Sequence, residues 1–239
     1  SQLCKSYGTL KVLDHVDVSC AAGELCGVLG ANGAGKTTLF KVLFGLIRPD
    51  SGTFHIESNR KKPLGGIIEK PALYEYLNAY ENLRLFGRIQ NAQVDKQALR
   101  DSLRKVGLEL ERKDPVRNFS MGMKQRLAIA IALINDPEGL ILDEPFSGLD
   151  PLGIESLQKL IRRLAEQENL AILISSHMIG ELEKVCSTLQ VLKDGRTINY
   201  GKTQEVIAQN TDSHAIYAPN IGASKILESL GADIRGNCA

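Results

Sequence analysis

A glycine-rich segment near the start of the chain constrains its fold more than any other feature. Residues Gly30 to Thr38 read GANGAGKTT and fit the phosphate-binding pattern G-x-x-x-x-G-K-[ST]. An apolar run of strand length, Glu24 to Leu29, precedes it, and apolar residues at helical spacing follow from Thr38 to Phe44. A strand, a glycine turn and a helix N-terminus direct backbone N–H groups and the positive end of a helix dipole at one point. The chain is therefore predicted to bind a nucleoside triphosphate.

The residues of this loop have separate predicted roles. Gly30, Gly33 and Gly35 allow a wrapped backbone and a close approach that a Cβ would obstruct. Lys36 can reach the outer phosphates, and the Thr37 hydroxyl can ligate Mg²⁺. The other residues predicted to bind the nucleotide are Ala31, Asn32, Ala34 and Thr38. The alternative is a glycine-rich turn that only caps a helix, and the strand and helix on either side disfavour it.

Composition narrows the class of protein. With 239 residues, the chain suits one large α/β domain or a core domain with a small appendage. Hydrophobic residues at 43% and charged residues at 24% are ordinary for a soluble, well-packed protein. A net charge of +1 gives no reason to expect nucleic acid or anionic lipid as the main partner. No run of about eighteen apolar residues is present, so the chain is not expected to span a membrane alone.

The cysteines and most histidines are predicted to have no catalytic or metal-binding role. The cysteines include no C-x-x-C pair, which favours buried or free thiols in a reducing cytosol over a metal site. They are Cys4, Cys20, Cys26, Cys186 and Cys238. His15, His55 and His214 have no partner at ligand spacing and are interpreted as surface or packing residues.

Short β-branched runs alternate along the chain with longer helical stretches, which is typical of a mostly parallel sheet flanked by helices. The predicted strands are residues 16–20, 25–29, 53–56, 66–68, 140–143, 171–175, 189–192 and 197–200. The predicted helices are residues 38–44, 79–89, 96–106, 121–133, 151–166, 179–185 and 204–208. The turn signal Lys193-Asp194-Gly195 joins the last two strands as a hairpin, which adds an antiparallel portion to the sheet.

Two regions depart from this alternation. Between Pro71 and Arg117 only amphipathic helices are evident. This predicts a helical subdomain, about residues 71–135, inserted into a nucleotide-binding core of residues 1–210. Residues 211–239 are too few for a core of their own and are interpreted as a short C-terminal accessory extension.

A second motif supplies the carboxylates that nucleotide hydrolysis requires. Glu138 to Pro145 reads EGLILDEP, with two carboxylates where a buried strand would end. In open α/β sheets, ligands bind at the carboxyl ends of strands. Asp143 can hold Mg²⁺, directly or through water, and Glu144 can polarise a water for in-line attack on the γ-phosphate. Beside a phosphate loop this is favoured over an acidic strand end on the surface, and the two motifs together specify a phosphate-loop NTPase.

A third segment narrows the class of NTPase. Asn118 to Arg126 reads NFSMGMKQR, and with the other motifs it makes the chain similar to ATP-binding subunits of ATP-binding-cassette (ABC) transporters. Ser120-Met121-Gly122-Met123 stands where that family has its serine-glycine-glycine-glutamine signature, which contacts the ATP of a partner chain. Ser120 can cap the following helix and Gly122 lets the backbone approach an anion. Met121 and Met123 depart from the family pattern.

The resemblance covers about residues 3–210 and implies roles for further residues. Tyr7 stands where the family places an aromatic ring against adenine, although a lone tyrosine is often a packing residue. Asp150 ends the segment SGLD, which matches the loop that crosses the family's dimer interface. His177 follows a predicted strand where the family's switch histidine meets the γ-phosphate, and this position favours a catalytic role over packing.

Glu69 departs from the family pattern. The family usually has a glutamine there, which contacts Mg²⁺ and senses the membrane subunit. A carboxylate keeps the oxygen ligand and adds a charge, which suits a metal ion. This replacement, the segment FSMGMKQR and the following AIAIAL resemble the exporters that protect bacteria against lantibiotics and bacitracin.

The resemblance also implies a function, cofactors and partners. The chain is expected to be an ATPase that uses ATP and Mg²⁺ to power export of an antimicrobial peptide or other drug. The implied partners are a second ATP-binding chain, in an ATP-dependent dimer, and integral membrane permease subunits, with no nucleic acid. The implied location is the cytoplasmic face of the bacterial plasma membrane. Three alternatives stay open: an importer ATPase, a soluble ABC-type ATPase of translation or repair, and a non-hydrolysing module, which the presence of Lys36 and Glu144 disfavours.

Overall fold

The computed structural model describes residues 2–69, 71–92, 95–109 and 112–209. Its strands are β1 (Leu3–Tyr7), β2 (Leu10–Val16), β3 (Leu25–Leu29), β4 (Leu64–Ile67), β5 (Gly139–Leu142), β6 (Ala171–Ser176), β7 (Thr188–Lys193) and β8 (Arg196–Lys202). Its α-helices are α1 (Lys36–Leu43), α2 (Ala79–Ile89), α3 (Lys96–Lys105), α4 (Met121–Ala132), α5 (Pro151–Glu168), α6 (Ile179–Glu183) and α7 (Thr203–Gln209).

A six-stranded sheet forms the centre of the protein, in the order β4-β5-β6-β3-β7-β8. All neighbouring strands are parallel except β7 and β8, which form an antiparallel hairpin. β5, with the sequence GLIL, is buried at every position, as a central strand covered on both faces requires. β1 and β2 form a separate antiparallel ribbon. The structure therefore confirms the predicted α/β fold, with a mostly parallel sheet and an antiparallel portion.

The register of the sheet brings the carboxyl ends of three strands to one edge. Leu29, the last residue of β3, lies beside Ser176 of β6 and Val191 of β7. Leu142, the last residue of β5, lies beside Ile174 of β6. The loops after β3, β5 and β6 therefore leave the sheet at the same edge. These loops carry the glycine-rich segment, the acidic pair and the histidine that the sequence singles out.

Two apolar clusters hold these loops in place. One cluster joins α1 to the ribbon and the sheet, and in it Leu39 and Phe40 of α1 are fully buried together with Leu13 of β2. The other cluster joins α2, α3, α4 and α5 to the sheet, with fully buried side chains such as Leu83 and Leu127. Because α1 is fixed by buried side chains along its length, its N-terminus stays at the edge where β3 ends.

The described parts of residues 71–138 contain helices and no strand, as the sequence predicts. α2 begins with a capping box, in which Asn78 and Glu81 each accept a hydrogen bond from the other's backbone N–H. At the start of α3, the Asp95 side chain accepts a hydrogen bond from the backbone of Ala98. Local capping thus fixes where these helices begin, while the assignment of residues 71–135 as a separate subdomain stays a prediction.

The chain divides into two compact units, of which the first ends at Val206. The predicted domain limit at residue 210 stays a prediction, and the predicted extension at residues 211–239 lies outside the described residues, as do His214 and Cys238. None of the helices that the structure describes has the length and apolar character needed to cross a membrane.

Two of the strand predictions are wrong. The strand predicted at residues 16–20 instead begins at Leu10 and ends at Val16. The sequence did not predict it because charged residues interrupt the apolar pattern of LKVLDHV, although this segment pairs with β1. Residues 53–56 form no strand. That segment is mostly exposed, and the only described strand pairing nearby is a single bridge between Ser51 and Cys4. β-branched composition without a neighbouring ladder is not enough to form a strand.

Candidate nucleotide-binding site

The glycine-rich loop leads from β3 into α1, and two of its glycines are required by close contacts. Gly35 precedes α1 with a φ of 105°, and a Cβ there would lie 2.7 Å from the carbonyl oxygen of Val12. A Cβ on Gly30 would lie 2.6 Å from the carbonyl oxygen of Leu192. No side chain of the described residues caps the start of α1, so its first backbone N–H groups remain available to an anion.

Other residues of the loop complete the wrapped shape that the sequence predicts. Gly33 has a φ of 84°, in the region that favours glycine. The backbone N–H of Ala34 donates a hydrogen bond to the carbonyl of Ala31 over 3.1 Å, which closes a turn. Ala31 and Asn32 are exposed, whereas Ala34 is buried. The loop therefore presents its backbone, rather than large side chains, to a ligand.

The ammonium group of Lys36 lies inside this loop. The residue is 6% exposed, and Nζ donates hydrogen bonds to the carbonyl oxygens of Gly30 and Ala31, at 2.7 and 3.2 Å. The same nitrogen lies 3.1 Å from Oε1 of Glu144. A positive charge held at this point can pair with the outer phosphates of a bound nucleotide.

Thr37 and Asp143 meet directly and form the part of the site that could hold a metal ion. The Thr37 hydroxyl donates to Oδ2 of Asp143 at 2.6 Å. Asp143 follows β5 and is 5% exposed, so its carboxylate is held in a fixed position. A hydroxyl and a carboxylate oxygen side by side are the hard donors that Mg²⁺ prefers, and Mg²⁺ completes its shell with water and phosphate oxygens. The residues present therefore fit magnesium.

Ser175 connects the two acidic residues, and the sequence did not single it out as a site residue. Its hydroxyl donates to Oδ1 of Asp143 at 2.5 Å and accepts from the backbone N–H of Glu144 at 2.9 Å. The residue is fully buried in β6, next to β5. A serine at a buried strand position beside an acidic strand end is the signal that could have identified it, because a buried hydroxyl needs partners.

Glu144 lies between a cation and the predicted switch histidine. Its carboxylate contacts Nζ of Lys36 through Oε1 and Nδ1 of His177 through Oε2, the latter at 2.9 Å. The backbone of Glu144 has a φ of 48°, which a non-glycine residue adopts only at a cost of about 1–3 kcal/mol. Such strain is concentrated at functional sites, and here it turns the carboxylate back towards the loop.

Glu69 and Tyr7 form no hydrogen bond or ion pair with the phosphate loop or Asp143 in the described structure. Oε1 of Glu69 accepts a hydrogen bond from Nζ of Lys41 on α1 at 2.7 Å, rather than contacting Asp143. This contact raises the pKa of Lys41 and so keeps it charged. Tyr7 is 49% exposed at the end of β1, with the ammonium of Lys5 5.7 Å from its ring centroid. A half-exposed ring of this kind has a free face for stacking.

The signature segment begins α4 and lies beside the loop that leads to Asp150. The Ser120 hydroxyl accepts a hydrogen bond from the backbone of Met123 at 3.3 Å. A Cβ on Gly122 would lie 3.9 Å from the Leu149 side chain, and one on Gly148 would lie 4.0 Å from Met121, so the two segments are neighbours. Asp150 in turn caps α5. In the part of the chain that the structure describes, no hydrogen bond or ion pair joins this signature to the phosphate loop.

A phosphate loop that faces an acidic strand end across a parallel sheet defines a phosphate-loop NTPase. Comparison with known proteins gives its family. A family model described as ABC transporter matches residues 13–147. The chain is 43% identical to the bacitracin transport ATP-binding protein of Bacillus licheniformis, over 83% of this chain and 67% of that protein. It is 40% identical to the lantibiotic transport ATP-binding protein of Streptococcus pyogenes, over 82% of this chain and 86% of that protein.

A solved structure agrees with these relatives. cbiO1 from Clostridium perfringens, part of the ABC transporter complex cbiONQ, has 29% sequence identity and a TM-score of 0.77, over 87% of this chain and 89% of that chain. The chain belongs to the ABC transporter family, as an ATP-binding subunit with ATPase activity. The predicted similarity to bacitracin and lantibiotic transport proteins is confirmed.

Proposed function

We propose that this chain powers the export of an antimicrobial peptide or another drug through separate membrane subunits. The observation that supports ATP hydrolysis as the energy source is the position of Glu144. Its carboxylate lies between Lys36 and His177 beside the phosphate loop. A module that only bound nucleotide would not need a carboxylate in this place. The export direction rests on the relatives named for bacitracin and lantibiotic transport.

The geometry supports a mechanism in which the residues around the loop exchange partners when ATP binds. Thr37 and Asp143 would hold Mg²⁺, which supplies charge neutralisation between the outer phosphates. Lys36 would leave the carbonyls of Gly30 and Ala31 for phosphate oxygens. Glu144, released from Lys36, would then polarise the attacking water, while His177 orients its carboxylate. Tyr7, with its free ring face, would stack on adenine.

The second half of the site would come from another copy of the chain. Ser120 and Gly122 lie at the N-terminus of α4, where exposed backbone N–H groups suit an anion. Met121 is 45% exposed beside them, and Leu152, close to Asp150, is 76% exposed. These side chains would be covered when two chains face each other head to tail with ATP between them. The dimer would therefore depend on ATP, because the nucleotide forms part of the interface.

Glu69 would act at the junction between the magnesium site and the membrane subunits. Lys41, one helical turn after Thr37 on α1, compensates the charge of Glu69. The Glu69–Lys41 pair therefore carries no net charge. To ligate Mg²⁺, Glu69 would have to leave Lys41, a change that would move the loop after β4 when the site is filled.

The helical region after Glu69 would contact the membrane subunits at the cytoplasmic face of the bacterial plasma membrane. Tyr76 is 70% exposed there, and its ring meets that of Tyr74 edge to face, with centroids 6.1 Å apart. An exposed aromatic pair is a suitable anchor for another protein. The net charge of +1 supports no role for nucleic acid.

The export proposal is tested in cells that lack the native gene. The chain is expressed with its membrane subunits, and survival is measured against bacitracin and lantibiotic dose, with Glu144→Gln as the hydrolysis-deficient control. Protection by the native chain and loss of protection by the variant are expected. If neither drug distinguishes the two, neither bacitracin nor the tested lantibiotic is the exported compound, and uptake of labelled nutrients would then test the importer alternative.

A further inference from the structure

A cluster of two cysteines and one glutamate lies at the amino end of β3, the end opposite the phosphate loop. One ligand atom each from Cys20, Glu24 and Cys26 lies within 4.8 Å of the others. Cys26 is buried within β3, while Cys20 and Glu24 are partly exposed just before it. The described cysteines are free thiols. The sequence interpretation gives them no metal-binding role, because the spacing C-x-x-x-E-x-C does not reveal that three ligands of two types converge.

Hydrogen bonds already orient these side chains towards one another. The carboxylate of Glu24 accepts from the backbone of Ala21 at 2.8 Å and from the hydroxyl of Thr188 at 2.7 Å. The same hydroxyl lies 3.2 Å from Sγ of Cys26. The Cys20 thiol donates to the carbonyl of Glu24 at 3.5 Å. Outer hydrogen bonds of this type are what hold metal ligands in a fixed orientation.

No permanent cation neutralises the cluster in the part of the chain that the structure describes. Among the described residues, no basic side chain forms an ion pair with Glu24. A divalent cation bound here would therefore displace no basic side chain, and its charge would offset the two thiolates that form as it binds.

A second group of possible metal ligands differs from this cluster because basic side chains already neutralise its carboxylate. Cys4, Asp14 and His15 also converge within 4.8 Å. There, however, Asp14 forms ion pairs with Lys11 and with Arg196, and contacts with Lys11, His15 and Arg196 lower its pKa. The carboxylate is already neutralised by two permanent cations, so a metal ion would have to displace them. The Cys20 cluster has no such competitor.

We propose that Cys20, Glu24 and Cys26 form a binding site for a thiophilic divalent cation of the Zn²⁺ or Cd²⁺ type. Thiolate sulfur and carboxylate oxygen are both ligands of such ions, and a water molecule would take the fourth position. Cys20 also lines a surface cleft of about 820 Å³, which provides an entry path and the water. Each thiol releases its proton to solvent as its sulfur binds, so the site gains two negative charges against the two positive charges of the ion.

The bound ion would join the turn before β3 to the strand that ends in the phosphate loop. The cation would therefore stabilise the folded chain by mass action, because the unfolded chain does not hold the three ligands together. No step of ATP hydrolysis requires it. The site is thus independent of the proposed transport function and is tested separately from it.

The test is a titration of the purified, phosphine-reduced chain with Zn²⁺ and with Cd²⁺. Calorimetry measures stoichiometry and affinity, ultraviolet absorption detects cadmium–thiolate bonds, and thermal unfolding measures stabilisation. We expect one ion per chain, a rise in Tm, and release of about two protons. Cys20→Ser and Glu24→Gln should each weaken binding about tenfold or more, because losing even an outer hydrogen-bond partner of a ligand costs that much elsewhere. Cys186→Ser, which removes another buried thiol outside the cluster, should bind like the native chain.

Three results would overturn the proposal. The first is no saturable binding by the native chain. The second is native affinity of Cys20→Ser, which would show that the ion binds elsewhere. The third is a Cys20–Cys26 disulfide with an oxidant but no metal binding under reduction, which would assign the pair to thiol oxidation. Because Cys20 and Glu24 are partly exposed, their variants are expected to fold, so the test does not depend on replacing the buried Cys26.

Discussion

The carboxyl edge of the sheet and the segment around Ser120 are both predicted to contact ATP, but they are built differently. At the sheet edge, side chains from three loops satisfy one another, as in the contacts of Thr37 and Ser175 with Asp143. Around Ser120, the serine hydroxyl caps its own helix and bonds no residue of the phosphate loop, and Met121 remains 45% exposed. Folding of one chain is therefore enough to bring the side chains of the first region together, whereas under the proposed function the second region acts only against another molecule.

The largest effect is expected when the charge of Glu144 is removed at the sheet edge. Glu144→Gln should slow ATP hydrolysis about 10²-fold or more, because the water loses its polarising group, while ATP binding is kept. Steady-state phosphate release and equilibrium ATP binding check this. Lys36→Ala is the matched contrast, since it should weaken binding itself. Native hydrolysis by the Glu144→Gln chain would show that another group polarises the water.

The exposed region is tested by placing a charge where the partner's nucleotide is predicted to lie. In a Glu144→Gln background, Gly122→Asp should weaken the ATP-dependent dimer at least about thirtyfold, because a carboxylate facing phosphate costs several kcal/mol. ATP binding to the single chain should not change. Sedimentation with and without ATP measures the dimer. A nucleotide-independent dimer, or one unaffected by Gly122→Asp, would place the interface elsewhere.

Ser175 tests whether contacts within one chain hold the acidic residues at the sheet edge in place, because its hydroxyl bonds both Asp143 and Glu144. Ser175→Ala leaves the buried Oδ1 of Asp143 and the backbone N–H of Glu144 without their shared partner. The free energy of unfolding should fall by about 1–3 kcal/mol, and ATPase activity by about tenfold. Ser156→Ala, which removes a surface hydroxyl that bonds Arg126, is the control and should have a smaller effect on activity. Equal activity losses would mean that Ser175 is only structural.

The sequence predicts the motifs of this site better than the contacts between them. The glycine loop, EGLILDEP and the signature are local patterns, and the helices and parallel strands beside them follow from local periodicity. Ser175 and Lys41 were missed because their roles depend on register and packing between distant segments; Asp143 and Ser175, for example, are 32 positions apart in the sequence. β1 was missed for a related reason, since LCKSY becomes a strand only by pairing with β2.

The smallest expected effect concerns Glu69, which shares a feature with each region. Like the residues of the sheet edge it is paired within the chain, and like the segment around Ser120 it is exposed, over 64% of its side chain. If Glu69 acts only through charge, Glu69→Gln should weaken Mg²⁺-dependent ATP binding about two- to fivefold, since exposed ion pairs are worth about 0–1 kcal/mol. Lys41→Met should strengthen it slightly, and the double variant should match the native chain.

If Glu69 ligates Mg²⁺ directly, the double variant should instead be as weak as Glu69→Gln, because removing Lys41 cannot restore an oxygen ligand. Magnesium titrations with a fluorescent ATP analogue separate these outcomes. The exposed pair Lys159–Glu155 on α5 offers a control, and Lys159→Met should change nothing. Identical magnesium curves for all variants would remove Glu69 from the metal site. Any loss of drug protection in Glu69→Gln cells would then have to come from its contact with the membrane subunits.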